Sequence, residues 1–87
     1  MFIDKKWILK IRYLGATNTR GSRIKITDIE DSKNTITIPF DYKYNSALDN
    51  AVSYLIDNNI IATDDIIGVN QTNNDYWLIL DKYIKLK

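Results

Sequence analysis

Within the stretch Thr17-Asn18-Thr19-Arg20-Gly21-Ser22-Arg23 the chain places two guanidiniums, three hydroxyls, an amide and a glycine backbone side by side. That mixture suits contacts to phosphate oxygens, because guanidiniums bind them through charge-assisted pairs and hydroxyls and backbone amides supply further donors. Lys10, Arg12 and Lys25 flank the stretch and extend a basic stripe from it. These residues form the expected partner-binding set: Lys10, Arg12, Thr17, Asn18, Thr19, Arg20, Gly21, Ser22, Arg23 and Lys25. A structural alternative stands beside it, in which Thr17 and Asn18 satisfy the backbone of an ordinary turn and Arg20 and Arg23 pair with Asp28 or Glu30. The glycines Gly15 and Gly21 do not make a phosphate-binding P-loop, because no Lys-Ser/Thr follows them and no helix starts there.

Other chemistry has little to build on. The chain contains no cysteine and no histidine, which removes thiolate nucleophiles, the Ser-His and Cys-His pairings and the usual nitrogen and sulfur ligands of transition metals. Carboxylates remain. Asp28, Glu30-Asp31 and Asp64-Asp65 are the candidates, but metal-assisted phosphoryl transfer needs several acids converging on one point, and their spacing points instead to turns and caps. The expectation is a binding protein with no catalytic residues, no cofactor and no metal.

The elements that must position the loop follow from periodicity. Between Trp7 and Leu14 the apolar residues Trp7, Leu9, Ile11 and Tyr13 alternate with Lys10 and Arg12, the period of a half-buried strand. A polar connection, Gly15 to Ser22, leads to a second alternating segment, Arg23 to Ile29, so the basic loop is the tip of a hairpin whose two glycines can adopt positive φ. After a charged turn from Glu30 to Asn34, Thr35 to Phe40 forms a third strand, placed at a sheet edge by Pro39. Ser46 caps a helix running to about Asn58, with Leu48, Ala51, Val52 and Leu55 on one apolar stripe, Tyr54 and Ile56 widening it, and Asn58-Asn59 ending it. Ile66 to Asn70 and Tyr76 to Leu80, joined by the polar turn Gln71 to Asp75, give a fourth and fifth strand, with Tyr83 to Leu86 as a possible extension. Trp7 and Trp77 sit in apolar alternation and are expected to anchor the core. The fold class is therefore α+β: an antiparallel sheet of four to five strands with one helix packed on one face, in the order β-β-β-α-β-β.

At 87 residues the chain, residues 1–87, is expected to form a single domain, with little stability to spare for a strained active site. Its formal net charge of +1 conceals a segregation. Residues 1–25 carry Lys5, Lys6, Lys10, Arg12, Arg20, Arg23 and Lys25 against Asp4, a net of +6. Residues 26–81 carry ten acids against Lys33 and Lys43, a net of −8, and Lys82, Lys85 and Lys87 close the chain. Such a layout concerns partners and encounter rates more than fold, unless basic and acidic strands pack together and cancel locally. No apolar run approaches the roughly 20 residues that span a bilayer, and the first residues lack the pattern of a signal peptide. A cytoplasmic protein without a membrane partner is expected.

The segment Tyr13-Leu14-Gly15-Ala16-Thr17-Asn18-Thr19-Arg20-Gly21-Ser22-Arg23-Ile24-Lys25, followed by Thr35-Ile36-Thr37-Ile38-Pro39-Phe40-Asp41-Tyr42 and a helix, resembles a group of short uncharacterised proteins encoded by phages and plasmids. The resemblance covers roughly residues 11–56 and centres on the Thr-Asn-Thr-Arg-Gly-Ser-Arg loop; from Asn59 onward the chain departs from the shorter members. It implies an accessory protein of a mobile element. By analogy of setting, such a protein acts by stoichiometric binding to a host defence protein or ribonucleoprotein complex, as anti-CRISPR proteins do. A nucleic-acid-binding module that contacts DNA or RNA through the basic hairpin is the alternative.

Overall fold

The computed structural model describes residues 7–72 and 75–86; Asp4, Lys5, Lys6 and Lys87, counted above in the charge layout, and part of the Gln71 to Asp75 turn lie outside them. Five strands, β1 (Trp7–Leu14), β2 (Arg23–Asp28), β3 (Asp31–Pro39), β4 (Ile66–Gln71) and β5 (Asp75–Leu80), form one antiparallel sheet in the order β3-β2-β1-β5-β4. The first strand is thus central. The first three strands form a meander, and the chain then crosses through α1 (Ala47–Asp57) to add the β4–β5 hairpin on the far side of β1. The α+β class and the order β-β-β-α-β-β are as the periodicity indicates.

Registers place Leu9 opposite Leu78, Ile11 opposite Ile26 and Tyr76, and Ile24 opposite Ile38, so one face of the sheet collects the branched apolar residues. Leu9, Ile11, Ile24, Ile26, Leu78 and Leu80 are fully buried there. Helix α1 packs across β1 and β2 on this face, with Ala47, Ala51 and Leu55 buried against the sheet. Burying one such leucine or isoleucine stabilises the fold by about 1.5–3 kcal/mol, so this layer supplies most of the cohesion. The Ser46 hydroxyl accepts the Asp49 amide at 3.2 Å to start the helix, and Asn59, with φ of 59°, ends it in the left-handed region that asparagine tolerates.

Three details differ from the periodicity. Neither Gly15 nor Gly21 has a positive φ, so the hairpin loop is not held by glycine geometry. β3 begins at Asp31, because after a tight turn the chain re-enters the sheet through an irregularity between Thr27 and Asp28. Asn34 is thereby turned into the core, where it is only 6% exposed. The segment after β5 does not extend that strand: Ile84 and Leu86 are buried in the core cluster. Asn34 holds this segment, donating from Nδ2 to the Ile84 carbonyl at 2.9 Å and accepting the Leu86 amide at 2.8 Å. One side-chain amide therefore replaces a strand pair.

Candidate functional site

Among the described residues no helix covers the face of the sheet opposite α1. Cross-strand registers arrange it in rows. One row runs Thr37, Lys25, Arg12, Asp75; the next runs Thr35, Thr27, Lys10, Trp77, Asn70; a third sets Ile8 beside Ile79. Residues at paired positions share a face, so these side chains stand on the same side. The position of Trp77 corrects the expectation that it anchors the core: β5 is apolar on both faces, and pairing with Lys10 and Asn70 puts Trp77 on the open side. There it is half-buried, its indole N–H donating to Thr72 Oγ1 at 3.2 Å. Trp7, by contrast, packs against the core.

The basic residues do unequal work. Arg12 is bound to Asp75 by a two-pronged pair, Nε to Oδ1 at 2.7 Å and Nη2 to Oδ2 at 3.0 Å. The hydrogen bonds from Arg12 hold the Asp75 carboxyl below its ordinary range; burial opposes them, and the charges of Arg12 and then Lys10 add to them. Here a basic strand does cancel against an acidic one. Lys10 and Lys25, in contrast, make no ion pair among the described residues. Thr27 and Thr35 form a hydroxyl pair at 2.9 Å, and the Thr35 hydroxyl donates to the Ile26 carbonyl.

The depressed Asp75 carboxyl has a pH consequence. A carboxyl whose folded value lies below its unfolded value, near 3.9, contributes stability that is fully present above that range and is lost as pH falls through the folded value. Thermal melts of the wild-type protein are expected to steepen in their acid decline below about pH 4 relative to Asp75→Asn. Equal acid slopes in the two proteins would remove the pair from the account.

The loop is built from its own side chains. Thr17 Oγ1 accepts the amides of Thr19 and Arg20, at 3.4 and 3.1 Å, and the Thr17 amide donates to the Arg20 carbonyl at 2.7 Å. Ser22 is 8% exposed and its hydroxyl lies between those of Tyr13 and Tyr42, at 2.8 and 2.9 Å. The rings of Tyr13, Phe40 and Tyr42 stack edge to face behind it. Thr17 and Ser22, both in the expected binding set, are thus engaged in holding the loop, as Arg12 is in holding β5. Asn18, Thr19, Arg20 and Gly21 remain exposed at the tip.

Arg20 and Arg23 do not pair with Asp28 or Glu30. Asp28 is buried on the helix side of β2, where it accepts the Glu30 amide at 3.0 Å, whereas Arg23 stands on the open side at the other end of the strand. Neither arginine makes an ion pair among the described residues, and Arg23 Nε is enclosed without an acceptor. Three of the acids weighed as catalytic candidates hold the backbone: besides Asp28, Asp65 accepts the Ala62 amide at 2.8 Å and pairs with Lys82 at 2.9 Å, and Asp31 accepts the Lys33 amide at 3.1 Å. Among the described residues no three acids cluster as a metal site would need.

No family model matches the chain, and no curated protein or solved structure matches it either. What speaks for function is therefore this surface: cations Lys10, Arg20, Arg23 and Lys25 that make no ion pair among the described residues, a half-buried indole, and hydroxyls between them. Residue type pointed to the cations; periodicity misplaced Trp77, whose Lys10 and Asn70 neighbours are fixed only by strand order.

Proposed function

We propose that this chain is a non-enzymatic binding protein of a phage or mobile element that engages the nucleic-acid-bearing part of a host defence complex, inhibiting it stoichiometrically in the manner of an anti-CRISPR protein. The open sheet face supports this reading. Flat sheet surfaces that offer an aromatic ring among basic and hydroxyl side chains bind single-stranded nucleic acid by stacking and phosphate contact, and the row Thr27-Lys10-Trp77-Asn70, with Lys25 in the adjacent row and Arg23 one row beyond, has that composition. The setting in a defence complex comes from the resemblance of the hairpin segment to phage and plasmid proteins. Because the Trp77 ring stands among the cations, a freestanding nucleic-acid-binding module is the second reading.

The test is affinity for a single-stranded oligonucleotide as a function of salt. Each phosphate contact should contribute a slope of about −0.7 in log affinity against log salt, and Arg20→Ala/Arg23→Ala should reduce both slope and affinity. Truncating an interface arginine commonly costs about 2 kcal/mol or more, while loss of the exposed Arg20 changes stability by about 0–1 kcal/mol, and loss of the half-buried Arg23, whose enclosed Nε has no acceptor among the described residues, removes no hydrogen bond from that nitrogen. Unchanged affinity with a lowered melting temperature would mean that the arginines brace the hairpin and do not contact a partner.

A further inference from the structure

On the helix side the sheet is incompletely covered. Because α1 lies across β1 and β2, a groove of about 460 Å³ remains between the helix and β4, walled by Leu48, Val52 and Ile56 on one side and Ile66 and Val69 on the other, with Leu78 beneath. Its size falls in the range of sites that hold an inserted side chain or small ligand. Asp49 and Asp57 stand on its helix rim, and both are exposed.

β4 is also the edge of the sheet. The Thr72 amide donates to the Asp75 carbonyl, so Thr72 faces β5; main-chain groups alternate along an antiparallel strand, which turns those of Gln71 and Val69 outward. The Gln71 amide is taken by the Asn70 side chain at 2.9 Å. The Val69 N–H and C=O have no partner among the described residues, and the Val69 side chain is 48% exposed at the groove. An unpaired strand segment beside an apolar groove is the geometry of strand addition, in which main-chain bonds give affinity and alternate side chains fill the groove.

We propose that this edge binds an extended peptide segment of a protein partner as a sixth strand, with an apolar side chain in the groove and a lysine or arginine next to it facing Asp49 and Asp57. Charge decides against a second copy of the chain, since two-fold pairing along β4 would repeat the same acidic rim on both sides of the joint. The site lies on the opposite side of the sheet from the basic face and stands independently of the proposed function.

The probe is a random peptide library displayed on phage and selected on the full chain. Alternating apolar residues with a lysine or arginine are expected in the selected peptides. Val69→Pro deletes the outward donor without breaking the β4–β5 ladder, a replacement that edge strands tolerate, and should lower affinity by about tenfold or more. Asp49→Asn/Asp57→Asn should weaken the basic peptides alone. Failure to select any binder, selection of acidic peptides, equal affinity in the Val69→Pro protein, or self-association through β4 would each overturn the proposal.

Discussion

Replacing Asn34 with Ala is expected to lower unfolding free energy by about 3 kcal/mol, because the Ile84 carbonyl and the Leu86 amide lose their hydrogen bonds in a buried setting, at about 1–3 kcal/mol each. For a domain of this size that is a fall of roughly 12–24 °C in melting temperature. The loss is large beside a total stability of about 5–15 kcal/mol. Asn34→Asp should do no better, since it keeps the acceptor for Leu86, deletes the donor to Ile84 and brings a second carboxylate towards the buried Asp28, which lies 3.4 Å from the Asn34 amide nitrogen. A calorimetric melt of each variant checks this; a shift of only a degree or two would show that the closing segment does not depend on Asn34.

The second large effect concerns Trp77. Its replacement by Ala should weaken binding of a single-stranded oligonucleotide by about 10- to 100-fold, as loss of one stacked base costs about 1–3 kcal/mol, while the melting temperature changes little. A core tryptophan would behave in the reverse way, with a stability loss of about 3–5 kcal/mol. Both quantities can be read on one preparation, by anisotropy with a labelled oligonucleotide and by thermal melt. Lost stability with retained affinity would return Trp77 to the core.

The two residues also show where the sequence could and could not be read. β1 was legible because Lys10 and Arg12 interrupt its apolar residues at a strict period of two, and the Ser46 cap and the Asn59 stop were legible because they rest on local chemistry. β5 was legible as a strand but not in its facing, since Tyr76 to Leu80 is apolar throughout and a period without contrast cannot say which side faces the helix. Asn34 looked like a turn residue because its partners, Ile84 and Leu86, are fifty or more positions away. Asn50 was hidden for a similar reason: it interrupts the helix stripe, is 6% exposed, and accepts the Asp41 amide at 2.7 Å, fixing the chain's entry into α1. Of the basic set, residue type identified the cations but not which were already engaged. Only strand order brings Asp75 to Arg12, and only the fold of the loop brings Ser22 between Tyr13 and Tyr42.

The open sheet face as the working surface is tested most directly by following the backbone amides and the Trp77 indole N–H of isotope-labelled protein during titration with a short single-stranded oligonucleotide. Shifts are predicted to gather at Lys10, Lys25, Thr27 and Trp77 and at Arg20 and Arg23 in and beside the hairpin loop, and to fade as salt is raised. An open face that stays silent while residues of α1 or β4 move, or no shift anywhere at low salt, would contradict it.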